Sequence, residues 1–125
     1  MSTQEITLEN FPATVEQEGI VLLDFWAGWC GPCRQFAPVF EAAADNHPDI
    51  TFGKIDTEAQ DQLAGSLGIR SIPTLMAFRD GVLVFNQAGA LPAAQVEQLI
   101  EAVEGLDMAA VRAEIAEADD GTVQS

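Results

Sequence analysis

The 125 residues suffice for one domain with a sizeable core, and 48% of them are apolar, in short runs bounded by turn residues. No apolar run approaches the roughly 20 residues that cross a bilayer. A formal charge of −15, with Lys54 the single lysine, sets the chain against nucleic-acid phosphates and anionic membrane surfaces. The N-terminus, Met1-Ser2-Thr3-Gln4-Glu5, has neither the basic region nor the apolar stretch of a secretory signal, so the expected compartment is the cytoplasm. The acidity reads as a solvated surface, and sparse lysine beside abundant Asp and Glu also fits a salty cytoplasm.

In chain order, Gln4 to Leu8 alternates and predicts a short edge strand. Asn10 is a candidate cap for a short helix through Glu18, with Pro12 in its first turn and Gly19 at its end. Ile20 to Trp26 is apolar on both faces except for Asp24, as in a central strand covered on both sides. A helix is predicted from Cys33 to about Asn46, with Phe36, Val39, Phe40 and Ala43 on one face and Pro38 kinking it. His47-Pro48-Asp49 breaks that helix, and His47 reads as a cation on its C-terminal dipole. Ile50 to Ile55 is the next strand, so a right-handed crossover with parallel strands is expected. A helix from Glu58 to Leu67 is stopped by Gly68, and Ile69 to Pro73 is an extended loop. Thr74 to Phe78 and Val82 to Gln87 form a hairpin about Arg79-Asp80-Gly81. Leu91 to Glu104 is a helix with Val96, Leu99, Ile100 and Val103 buried. Residues 106–125 form a separate extension: Leu106, Met108, Ala109, Val111 and Ile115 suggest a weakly amphipathic helix, and the end from Asp119-Asp120-Gly121 is expected to fray. The sum is an α/β sandwich of about five mixed strands flanked by helices, with residues 1–105 as the domain.

The chemistry gathers at the turn after the strand Ile20 to Trp26. Cys30 and Cys33, the two cysteines of the chain, open a helix there. Unpaired backbone N–H groups and the positive end of the helix dipole favour the thiolate, the nucleophilic form. Cys30, at the outer edge, is expected to be the exposed and more acidic thiol and to attack a substrate disulfide. Cys33, one turn in and more shielded, then resolves the mixed disulfide. A structural zinc site is the competing reading of the pair. Zinc usually takes four ligands, and only His47 and acids at no recognisable spacing are on hand to add to the two thiols. Asp24 is costly in a doubly covered strand unless paired or protonated, so its pKa should be raised; the alternative is a strand-end carboxylate that reaches solvent or a backbone amide.

Trp29-Cys30-Gly31-Pro32-Cys33 resembles the active-site signature of the thioredoxin family. The likeness extends to Asp24-Phe25-Trp26-Ala27, Pro38, Ile69-Arg70-Ser71-Ile72-Pro73-Thr74, Gly81 and Gly89, and covers roughly residues 4 to 104. It implies a thioredoxin fold, a central mixed sheet of order 1-3-2-4-5 with helices on both faces, and a cis bond at Ile72-Pro73 facing the dithiol. It implies catalysis by Cys30 and Cys33, with Asp24 removing a proton from the second cysteine and Lys54 close by. Trp29, Gly31, Pro32, Ile72, Pro73 and Gly89 would frame the substrate surface, with the Ile72 backbone adding to an extended segment. Trp26 reads instead as structural core. Gly-Pro between the cysteines goes with a reductant. The resemblance further implies a monomer that reduces protein disulfides and is recharged by a thioredoxin reductase using NADPH, with no cofactor, metal, nucleic acid or membrane bound by the chain itself. A binding module with an incidental redox pair is the alternative. Gly28 departs from the acidic or polar residue common in the family, and the extension after Glu104 has no counterpart in its minimal domain.

Overall fold

The computed structural model describes residues 2–124, with side chains in its last helix as far as Ala118. The elements run β1 (Thr3–Glu5), α1 (Phe11–Glu16), β2 (Ile20–Trp26), α2 (Gly31–Asn46), β3 (Thr51–Asp56), α3 (Asp61–Ser66), β4 (Thr74–Arg79), β5 (Val82–Ala88), α4 (Ala93–Glu104) and α5 (Met108–Gln124). The five strands form one sheet in the order β1-β3-β2-β4-β5. β1, β3 and β2 are parallel, and β4 and β5 join antiparallel beyond β2. The expected topology and central strand are as observed.

Alternation along the strands divides the core in two. Leu22, Phe52, Leu75 and Ala77 meet Phe36, Phe40 and Ala43 of α2 and Val96, Ile100 and Val103 of α4. Val21, Leu23, Phe25, Ile55, Met76 and Phe78 meet Ile6, Val15 of α1 and Leu63 of α3 on the other face. Each large apolar side chain buried this way contributes about 1.5–3 kcal/mol, which is why the buried run in β2 takes the centre of the sheet. Asp24 falls on the α2 face by the same alternation.

Several local expectations are corrected. Asn10 does not cap α1 with its side chain. Its Oδ1 accepts from the Thr7 N–H at 2.7 Å and its Nδ2 donates to the Glu5 carbonyl, so it closes the turn between β1 and α1 instead. β1 is confined to three residues, Thr3–Glu5, because that is the length paired with β3. α3 starts at Asp61, since Asp56 Oδ1 accepts the N–H groups of Glu58 and Ala59 and holds that stretch as a turn. The hairpin turn is Asp80-Gly81, both at positive φ, and Arg79 belongs to β4. His47 stands at the C-cap of α2, where it was expected, and its ring Nε2 lies 2.7 Å from Glu97 Oε1 of α4. The extension forms α5, with helical backbone from Met108 to Gln124. Among the described residues no helix is long and apolar enough to cross a membrane.

Candidate active site

β2 ends at Trp26 and the chain turns through Ala27 to Trp29 before α2 begins at Gly31. Cys30 is the N-cap of α2, and its Sγ accepts the Cys33 backbone N–H at 3.2 Å. The capping atom is therefore a cysteine sulfur, placed where the helix presents unpaired N–H groups. Pro32 sits in the first turn, where its missing N–H costs nothing. Arg34 ties the turn down by donating from Nη1 to the Gly28 carbonyl at 2.8 Å. The cysteines are joined as a disulfide, with Cα atoms 5.2 Å apart.

Cys30 was expected to be exposed and Cys33 shielded, but their exposures are 4% and 3%. The pair packs with Ala27 into a small cluster closed by Trp26 and Ile72. Depth does not distinguish the two sulfurs; their polar contacts do. Cys30 Sγ faces the Ile72 carbonyl oxygen at 3.7 Å and takes the helix N–H.

The loop before β4 supplies the facing wall. The Ile72–Pro73 bond is cis. Gly89, at φ +107, donates its N–H to the Pro73 carbonyl at 2.7 Å, so the end of β5 is fastened to the same loop. Trp29 is 67% exposed and shares with Ile69, Arg70 and Ile72 a surface hollow of about 310 Å³. Ile72 thus faces Cys30 from the loop before β4, Gly89 is tied to the neighbouring Pro73, Trp29 precedes Cys30 in the chain, and Gly31 and Pro32 lie within the ring itself.

Asp24 is 1% exposed and pairs in register with Lys54 of β3 on one side and Leu75 of β4 on the other. Its Oδ1 and the Trp26 Nε1 are buried without a hydrogen-bond partner among the described residues. Burial pushes the Asp24 carboxyl up from its ordinary 3.8 to about 7; Lys54 opposes the rise and Glu41 adds to it. The solvent-reaching alternative is excluded by this burial. Lys54 Nζ stands 3.7 Å from Glu41 Oε2 and 5.3 Å from the Trp26 ring centroid. A cavity of about 240 Å³ touches Trp26, Ala27, Cys33, Ala37 and Lys54, so the second cysteine and the lysine open on one space. Trp26, expected as plain core, belongs to this site.

Glu41 is the residue that the sequence pattern does not single out. It lies at four-residue spacing from Cys33 through Ala37, one stripe of α2, and that spacing was the available signal. What the spacing lacks is the partner strand: Thr3 of β1 donates its hydroxyl to Glu41 at 3.0 Å. Arg34 is hidden for a similar reason, since its acceptor is a backbone carbonyl.

Comparison with known proteins agrees with this geometry. A family model described as Thioredoxin matches residues 2–102. The chain is 56% identical over 116 residues to a candidate thioredoxin 2 of Streptomyces coelicolor, covering 93% of this chain and 87% of that one. It is 39% identical over 101 residues to thioredoxin of Bacillus subtilis, covering 80% and 96%. Among solved structures, a mutant thioredoxin from Halobacterium salinarum superposes with a TM-score of 0.77 at 32% identity, over 85% of this chain and 94% of that one. A Malassezia sympodialis thioredoxin gives 0.72 at 34% identity, over 80% and 89%. With its sheet order, its helix-capping dithiol and these relatives in agreement, the chain belongs to the thioredoxin family and is a thiol–disulfide oxidoreductase.

Proposed function

We propose that the chain is a protein-disulfide reductase in which Cys30 attacks and Cys33 resolves. The observation that carries this assignment is the Cys33 N–H donated to Cys30 Sγ at the helix N-terminus. A negative charge on that sulfur is stabilised by the N–H and the helix dipole together, so in the dithiol form the helix start favours the thiolate of Cys30. It attacks a substrate disulfide: a Cys30–substrate bond forms, the substrate S–S bond breaks, and the departing sulfur leaves as a thiolate that takes a proton from solvent. Cys33 then loses its proton to the Asp24 carboxylate, directly or through water, and attacks Cys30 Sγ. The Cys30–Cys33 bond forms, the mixed disulfide breaks, and the substrate has gained two electrons and two protons. A carboxyl whose pKa is about 7 suits this step, because it can take a proton and return it at neutral pH.

The substrate approaches across Trp29, Gly31, Pro32, Ile72, Pro73 and Gly89. An extended segment pairs with the backbone of Ile72 and lays its side chains on the Trp29 indole. Recharging takes two electrons from NADPH through a thioredoxin reductase. The chain holds no cofactor, works as a monomer and resides in the cytoplasm.

Trapping tests the two thiol roles. With an equimolar disulfide-bonded protein such as insulin, Cys33→Ser should accumulate a mixed disulfide on Cys30, visible on non-reducing gels. Cys30→Ser should accumulate none. Equal capture by both variants contradicts the assignment.

A further inference from the structure

The carboxylate of Glu41 competes with Asp24 for the lysine beside it. Asp24 on β2 faces α2, and the lysine opposite it on β3 is the residue that would ordinarily neutralise a buried carboxylate. Yet the ion pair that Lys54 makes is with Glu41, at 3.7 Å, while Asp24 Oδ1 has no hydrogen-bond partner among the described residues. Glu41 is not free to swing away. The Thr3 hydroxyl, from the edge strand, reaches its two carboxylate oxygens at 3.1 and 3.0 Å. Lys54 is further held by the Trp26 ring, 5.3 Å below its ammonium. At about one-quarter and one-third exposure, the Lys54–Glu41 pair adds little to stability. Its consequence is positional, because it fixes where the one lysine charge near Asp24 stands.

We propose that Glu41, anchored by Thr3, is a positioning residue that governs the proton affinity of Asp24 by holding the Lys54 ammonium. Two effects add: Glu41 withdraws the cation that would favour ionised Asp24, and its own negative charge disfavours that form. The other groups around Asp24 do not substitute for it. Across the sheet, β4 places Leu75 opposite Asp24. From α2 comes Glu41, while Cys33 lines the cavity on which Lys54 opens. Glu5 and Asp56 lie with Lys54 at the rim of a separate hollow between β1 and β3. From α4, Glu97 is occupied by His47. The arrangement makes the first strand, remote from the cysteines in sequence, a part of the proton-handling apparatus.

The inference rests on Asp24 being the proton acceptor only for its bearing on rate, and the experiment separates the two. The Asp24 carboxyl is titrated by carbon-13 NMR in the full chain, and the pH profile of insulin reduction is recorded in parallel. In Glu41→Gln the Asp24 midpoint should fall by about half a pH unit or more. Thr3→Val, which keeps Glu41 but releases it, should move the midpoint the same way by less. In a Lys54→Met background, adding Glu41→Gln should shift the midpoint by less than half as much, since no ammonium remains to be released. An unmoved or raised midpoint in Glu41→Gln overturns the proposal, as does an undiminished shift in the Lys54→Met background. A midpoint that falls while the pH profile of reduction stays put upholds Glu41's hold on Asp24, and it is then the proton-acceptor reading of Asp24 that is lost.

Discussion

Between about pH 4 and pH 7 the native chain keeps a proton on Asp24 that the unfolded chain has released, because burial raises the carboxyl from 3.8 to about 7. The native state therefore binds more protons across that window, and stability falls as pH rises through it. The deficit is complete above the folded pKa and absent below the unfolded one. A rise of that size corresponds to about 4 kcal/mol at most. Asp24→Asn should accordingly be more stable than the parent at pH 8, by a few kcal/mol, and indistinguishable from it near pH 3, as read by urea unfolding at the two pH values. The same variant should reduce insulin several-fold more slowly at neutral pH. Equal stability at pH 8 together with normal turnover would refute both the burial argument and the role. Asp24 was legible in the sequence because an acid in an apolar run is itself an anomaly, and Cys30 and Cys33 because no other residue does their chemistry. Glu41 was not, since an acid on a helix is ordinary until β1 brings Thr3 against it.

Within the sheet, Gly53 leaves the room that the side chains of Ile6, just past β1, and Leu23 of β2 occupy. A Cβ at this position would stand 2.5 Å from Ile6 Cγ1 and 2.9 Å from Leu23 Cδ2, both side chains being fully buried. Gly53→Ala should cost about 1–3 kcal/mol, seen as a lower urea midpoint with an unchanged m-value. An unchanged midpoint would mean that Ile6 yields without cost. The glycine stood in plain view in the predicted strand Ile50 to Ile55, and an interior strand glycine signals a near neighbour. Which neighbour it admits depends on the register Gln4↔Gly53, which belongs to the pairing of two distant segments. The limits of α3 and β1 were misplaced for a related reason, and α1 starts after Asn10 as expected but ends at Glu16. Asp56 bonds to a turn that the sequence pattern does not show, whereas β2 and α2 carry their own periodicity and were found nearly at their true bounds.

At the scale of the whole molecule, a charge of −15 on 125 residues opposes compaction. Raising sodium chloride from about 10 to about 500 mM should screen that repulsion and lift the melting temperature by about 4 °C for each kcal/mol recovered. A melting temperature that falls or stays level over this range would show that the acids are held by specific partners and do not simply repel one another. Composition, spacing and the cysteine pair, with the family resemblance they carry, were enough to determine the α/β class, the sheet order, the strand–turn–helix that holds the dithiol and the loop that faces it. The elements themselves are properties of local pattern: apolar periodicity selects helix or strand, and a cysteine at a helix start is already placed for its chemistry. Only the tertiary structure decided that both thiols are equally buried, that Trp26 joins the site, and that Lys54 is claimed by Glu41. Each of these depends on the distance between side chains far apart in the chain, and burial and Coulomb energy are fixed by that distance.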